Sequence, residues 1–343
     1  MTVRDLLMAT RVVNDPALVV GHNNSPYVTA YPWSGGFGSP VANPATLPGN
    51  VGNGVAFSPD GAFVAVGHST SPYISVYPWS SSGFGTRVAN PATLPAGQVR
   101  GVAFSPNGAY LAVAHDGSPY VSVYPWSSSG FGTKLADPAS VPGYAGYGIV
   151  FSPDGAYLAV GDNSAPVINV YPWSNGFGTR FSDPASPPGG IGYGIAFSPD
   201  GAFIAVGHST SPYLNVYPWS GSGFGTKVAN PATLPAGPCK AVAFSPDGAY
   251  LAAVHSSSPF VTVYPWSGSG FGTKLANPDT KPSGDGWGVA FSPDGAYLAV
   301  ANADPSSPYV YLTVYPWNGA FGSALTPAST LAGYGNAVAW RPQ

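Results

Sequence analysis

Apolar positions along this chain come in short bursts and never settle into a helical period. GVAF (54–57), AFVAVGH (62–68) and YISVY (73–77) are rich in β-branched and aromatic residues, and clusters of Ser, Pro, Asp and Gly separate them. That is the pattern of short strands joined by tight turns. SPDG (58–61) fits a type I turn, with Pro second, Asp third and Gly fourth. Pro78 cannot donate to a ladder, so the third strand is expected to stop there. After SSSGFG a fourth strand is expected through TRVAN (86–90), ending at Pro91.

The block then recurs. Tyr-Pro-Trp places its Trp at 33, 79, 126, 173, 219, 266 and 317, at intervals of 46, 47, 47, 46, 47 and 51 residues. A second mark, AFSPDG and its variants, puts its aromatic at Phe57, Phe104, Phe151, Phe197, Phe244, Phe291 and Trp340. Four strands at this spacing make a propeller blade. The fold expected is all-β, a seven-bladed β-propeller of four-stranded blades occupying residues 17–343. A small residue recurs in the first strand (Gly54, Gly101, Gly148, Gly194, Ala241, Gly288, Ala337), as crowding of seven inner strands at the axis requires. ALVVGH (17–22) matches a second strand without a first before it, and the chain runs out after a first strand, AVAWRPQ (337–343). The ring is therefore expected to close by pairing the N- and C-terminal strands in one blade, leaving no open edge. Residues 1–16 fall outside the repeat as an N-terminal arm.

FSPDGAYLAVG (151–161) and PYVSVYPW (119–126) resemble the blades of WD-repeat and TolB-like propellers, with Tyr-Pro standing where WD-repeats place Trp-Asp. The longer block that begins YPWSSSGFGT is similar to repeat proteins predicted in bacteriophages. Neither resemblance carries catalytic residues.

Composition narrows the picture. Charged residues make up 7% of the chain, against roughly 25% in ordinary soluble proteins. The net charge of −3, with no basic cluster, argues against nucleic acid as a partner. One cysteine, Cys239, excludes an internal disulfide framework and a Cys-based zinc site. No apolar leader and no run of about 20 apolar residues is seen, so the expectation is synthesis in the cytoplasm without a signal peptide, and no membrane partner. A virion is the further location considered.

The candidate residues sort by whether they follow the copied template. A Trp beside a strand-ending Pro, once per blade, reads as the fastener between blades rather than as seven sugar platforms. His22, His68, His115, His208 and His255 share one position with Asp162 and Asn302. Equivalent positions of neighbouring blades lie on the order of 10 Å apart, too far for one metal, so they read as structural caps with no metal and no cofactor implied. Asp116, Asp162, Asp285 and Asp304 lie in different blades with no triad or paired-carboxylate spacing, so no catalytic residue is assigned and the chain is read as not an enzyme. Seven aromatics leave the template: Tyr144, Tyr147, Phe181, Tyr193, Trp287, Tyr311 and Tyr334. Four residues before each marker aromatic the blades read Asn53, Arg100, Tyr147, Tyr193, Lys240, Trp287 and Asn336. Divergence confined to one ring of otherwise copied blades marks the expected binding site, at the channel mouth. The function expected is a non-enzymatic structural or recognition propeller, a phage virion component making contacts with a protein partner or assembly. The alternative is an adhesin binding glycan, and a propeller hydrolase or lyase is the remote option.

Overall fold

The computed structural model describes residues 16–303, 311–329 and 331–342; all of the expected arm (residues 1–16) except Pro16, and Asp304, lie outside these. Seven antiparallel sheets form a ring. The innermost strands are Gly335–Trp340, Gly52–Phe57, Val99–Phe104, Gly146–Phe151, Gly192–Phe197, Cys239–Phe244 and Asp285–Phe291, and each contacts the next around the axis. They belong to blades 1 to 7 in that order. Crowding there is severe: a Cβ on Gly101 would sit 2.3 Å from the carbonyl oxygen of Tyr147 in the next blade. Closure occurs as the chain ends imply, with Leu18 opposite Trp340 and Val20 opposite Val338. Arg341 adds a clasp, its Nε donating to the Gly61 carbonyl of blade 2 at 3.0 Å.

Each turn between first and second strands is built from its own side chains. In blade 2, Ser58 Oγ donates to Asp60 Oδ1 at 2.5 Å, and the Ala62 and Phe63 amides donate to Asp60 and Ser58 at 3.0 and 2.9 Å. Gly61 supplies the positive φ of 64° that closes the turn.

The outer edge differs from the sequence reading. The third strand runs through Pro78 to Ser80, and the fourth is only Gly83–Phe84, opposite Trp79 and Ser80. Residues 86–90 are not a strand; their remaining tie is the Val88 amide on the Val76 carbonyl, 2.8 Å. The physical reason is which way Pro78 faces. Trp79 donates inward to Ala62, so Pro78 presents its missing N–H to the outer neighbour. Its carbonyl takes Gly85, and regular pairing ends. In blades 1, 4 and 7 the Trp-to-Phe loop is one residue shorter and only isolated bridges remain, as at Trp33–Phe37, leaving those sheets three-stranded.

All seven template Trp are buried, 6–8% exposed. Trp126 meets Phe104 and Phe131 of its own blade and Phe63 of the preceding one, edge to face, with centroids 5.7, 5.0 and 5.3 Å away. They are the fasteners between blades.

Candidate functional site

The second strands end, and the blade-to-blade connections arrive, on the same face of the ring. Each connection is held from below by the Tyr of Tyr-Pro-Trp: Tyr77 donates its hydroxyl to the Thr46 carbonyl (2.8 Å) and Tyr124 to that of Thr93 (2.9 Å). The last residues of each connection therefore enter the inner strand at a fixed height, with one side chain per blade turned toward the axis.

Those side chains meet. Asn53, Arg100, Tyr147, Tyr193, Lys240, Trp287 and Asn336 together line one 130 Å³ pocket, which opens into the channel between the inner strands. Contacts run round the ring. Asn336 donates to the Gly52 carbonyl (3.1 Å) and Asn53 to that of Val99 (3.0 Å), each stitching its blade to the next. The Arg100 guanidinium lies over the Tyr147 ring at 4.7 Å. Tyr147 packs edge-on against Tyr193 at 5.3 Å. Lys240 Nζ sits 3.7 Å from the centroid of Tyr193 and 5.0 Å from that of Trp287. Both cations are thus held on aromatic faces, an attraction of about 0.5–2 kcal/mol each that also fixes their direction. Arg100 further reaches Asp116 at 3.6 Å, a half-exposed pair that solvent screens. Asp285 opens the inner strand two residues before Trp287; burial pushes its carboxyl above the usual range, and the charge of Lys240 pulls it part of the way back.

Other departures from the template have packing roles. Phe181 fills the outer edge against Trp219 (5.0 Å), and Tyr311 meets Tyr334 (5.2 Å). Tyr144 stacks on Tyr120 and stays 55% exposed beside the mouth. The histidines are buried caps: His68 Nε2 lies 3.1 Å from Ser75 Oγ and His115 Nε2 lies 3.0 Å from Ser122 Oγ, hydroxyls of the adjoining strand. Desolvation lowers four of them, His22, His68, His115 and His255, to a pKa of about 4, so they are neutral at pH 7. In blade 4 the pair becomes Asp162 with Asn169, whose Nδ2 donates at 3.0 Å, and the carboxylate also takes the Gly143 amide at 2.8 Å. Among the described residues no three His, Cys, Asp or Glu gather as metal ligands would.

Residues 91–121 match the family model described as WD domain, G-beta repeat. No curated protein matches the chain. Several solved structures share its fold over nearly its whole length. One is the periplasmic gluconolactonase of Pseudomonas aeruginosa, 21% identical, with 95% of this chain and 99% of that one covered and a TM-score of 0.71. Two others, provisionally described as 6-phosphogluconolactonases, come from Bacteroides uniformis (19% identical, 95% and 99% covered, TM-score 0.71) and Bacteroides fragilis (16%, 96% and 99%, 0.72). These likenesses correct the expectation of a non-enzymatic structural or recognition propeller, and with it the virion and adhesin readings. The lack of a local catalytic spacing does not argue against an enzyme in such a ring, because the groups that meet at the axis come one from each blade, about 47 residues apart.

Proposed function

We propose that the chain is a propeller hydrolase that opens a small polyhydroxylated ester or lactone in the axial pocket. The observation that carries this reading is the convergence of seven unlike side chains, from blades otherwise nearly copies of one another, on one pocket with two fixed cations. The likeness in fold to proteins named as gluconolactonases supports it. Lactone hydrolysis puts water on a carbonyl carbon and negative charge on its oxygen. A cation already oriented at that oxygen stabilises the charge without reorganising. Lys240 and Arg100 are the groups for this role. Asp285 does not itself line the pocket, but it stands two residues before Trp287 and feels the charge of Lys240; it is the carboxylate assigned to take the proton of the attacking water and return it to the ring oxygen as the ring carbon–oxygen bond breaks. Asn53 and Asn336 each give one amide N–H to backbone, which fixes the side chain and leaves the second N–H and the carbonyl oxygen to meet substrate hydroxyls.

The test is proton release on adding glucono-1,5-lactone, its 6-phosphate and simple aryl esters, measured above the spontaneous rate. Acceleration of at least one, lost in Lys240→Met with the melting temperature unchanged, supports the reading. No acceleration across the panel overturns it.

A further inference from the structure

Departures from the copied template gather in one sector of the mouth, where blades 3 and 4 meet. The place held by Tyr144 is glycine in five of the other connections (Gly97, Gly190, Gly237, Gly284 and Gly333) and Asn50 in the sixth. Space there is short: a Cβ on Gly97 would sit 2.3 Å from Asp116 Oδ1. Tyr144 nevertheless projects, 55% exposed, with one face stacked on Tyr120 of blade 3 at 5.9 Å. Its backbone is pinned on both sides. The Gly143 amide donates to Asp162 (2.8 Å), the one carboxylate among the cap residues, and the Ala145 carbonyl accepts from the Asn163 amide (3.1 Å). In blade 3 the residue after the cap is Asp116, where the other blades carry Asn, Ser or Ala. It faces Arg100 at 3.6 Å, beyond hydrogen-bond distance, and both side chains are about one-third exposed. Arg100 in turn lies over Tyr147, a wall of the axial pocket three residues on from Tyr144. At roughly 3.3–3.6 Å per extended residue, the two tyrosine Cα atoms stand no more than about 11 Å apart.

We propose that this sector is a subsite for a second sugar ring, so that the preferred substrate is a glycosyl-substituted aldonolactone of disaccharide size or longer. The inference rests on the lactone-hydrolase reading of the axial pocket. A substituent on a ring held in that pocket has to leave through the mouth. The outer face of Tyr144 is an apolar plane for the C–H face of a pyranose, and its stacking on Tyr120 fixes that plane before the ligand arrives. Arg100 supplies donors and Asp116 acceptors for the sugar hydroxyls. A wholly apolar substituent would instead cover both charges without replacing their water, which is costly.

Calorimetric titration of the full chain with gluconate, cellobionate and maltobionate, the acids released from the corresponding lactones, reads the subsite apart from turnover. At least one disaccharide acid is expected to bind about tenfold tighter than gluconate. Tyr144→Gly, which restores the residue of the other connections, should remove that gain and leave gluconate affinity unchanged, and Tyr144→Phe should keep it. In Tyr144→Gly the kcat/KM for the disaccharide lactone should fall by the same factor and that for gluconolactone should hold. Gluconate bound with neither disaccharide acid tighter, or a gain that survives in Tyr144→Gly, overturns the subsite and leaves the lactone reading standing. An aryl ester that depends on Tyr144 while the disaccharide lactones do not would mark an aromatic occupant and also overturn it. No acceleration on any lactone would overturn the lactone reading and this proposal with it.

Discussion

Replacing Trp126 by Ala removes the ring contact that joins blades 2 and 3 through Phe63. The indole is 7% exposed and lies edge to face with three rings, Phe63, Phe104 and Phe131. Burying an aromatic side chain takes roughly 150–250 Å² out of water, which at about 25 cal/mol per Å² is about 4–6 kcal/mol as an upper bound. Phe or Trp to Ala substitutions in cores cost about 3–5 kcal/mol, and the two ranges agree. For a chain of this length the loss corresponds to a fall of roughly 4 to 8 °C in melting temperature. Trp79→Ala offers an internal control. Trp79 lacks the ring from the preceding blade, so its removal should cost about 1 kcal/mol less, the worth of one aromatic pair. Calorimetry or chemical denaturation of both variants checks the order and the size. A Trp126→Ala protein within about 1 kcal/mol of wild type, or a Trp79→Ala protein clearly worse than it, would refute the fastener account.

Three further outcomes follow. The folded histidines are depressed to about 4 from 6.5, so the unfolded chain binds protons first and stability falls as pH drops from about 6.5 toward 4, by up to about 3 kcal/mol per histidine; a melting temperature flat over that window would contradict their burial as neutral groups. Asp162→His should destabilise blade 4, because Gly143 and Asn169 both lose the carboxylate acceptor, while adding Asn169→Ser, which recreates the pairing of His68 with Ser75, should recover part of the loss; a double variant worse than the single one would show the pair is not a unit. Deleting residues 334–343 strips blade 1 of its inner strand, and loss of cooperative unfolding or aggregation is expected, whereas an unchanged melting curve would mean another segment pairs with Leu18–Val20.

The ring and its closure were legible because each blade repeats one solution: Gly where strands crowd the axis, Trp where blades meet, Ser-Pro-Asp-Gly where the chain turns. The fourth strand was misplaced because TRVAN has the composition of a strand, and composition does not show that Pro78 turns its missing donor toward that edge. The seven ring residues could be picked out because divergence stood against copied neighbours at one position per blade. Which cation rests on which ring could not, since Arg100–Tyr147 and Lys240–Tyr193 are contacts between blades. For the same reason a hydrolase or lyase stood only as the remote option in the sequence: the charge of Lys240 acts on Asp285 across 45 residues of chain, and no local motif joins them.

The central claim is that chemistry is done at the axial mouth. A crystal of the protein soaked with gluconate, the hydrolysis product of gluconolactone, tests it most directly. The account predicts density in the pocket bounded by Arg100, Tyr147, Lys240 and Trp287, with the carboxylate against Lys240 or Arg100 and hydroxyls toward Asn53 and Asn336. Gluconate lodged instead at a Trp seam or on the Ser-Pro-Asp-Gly face, with the axial pocket empty, would contradict it.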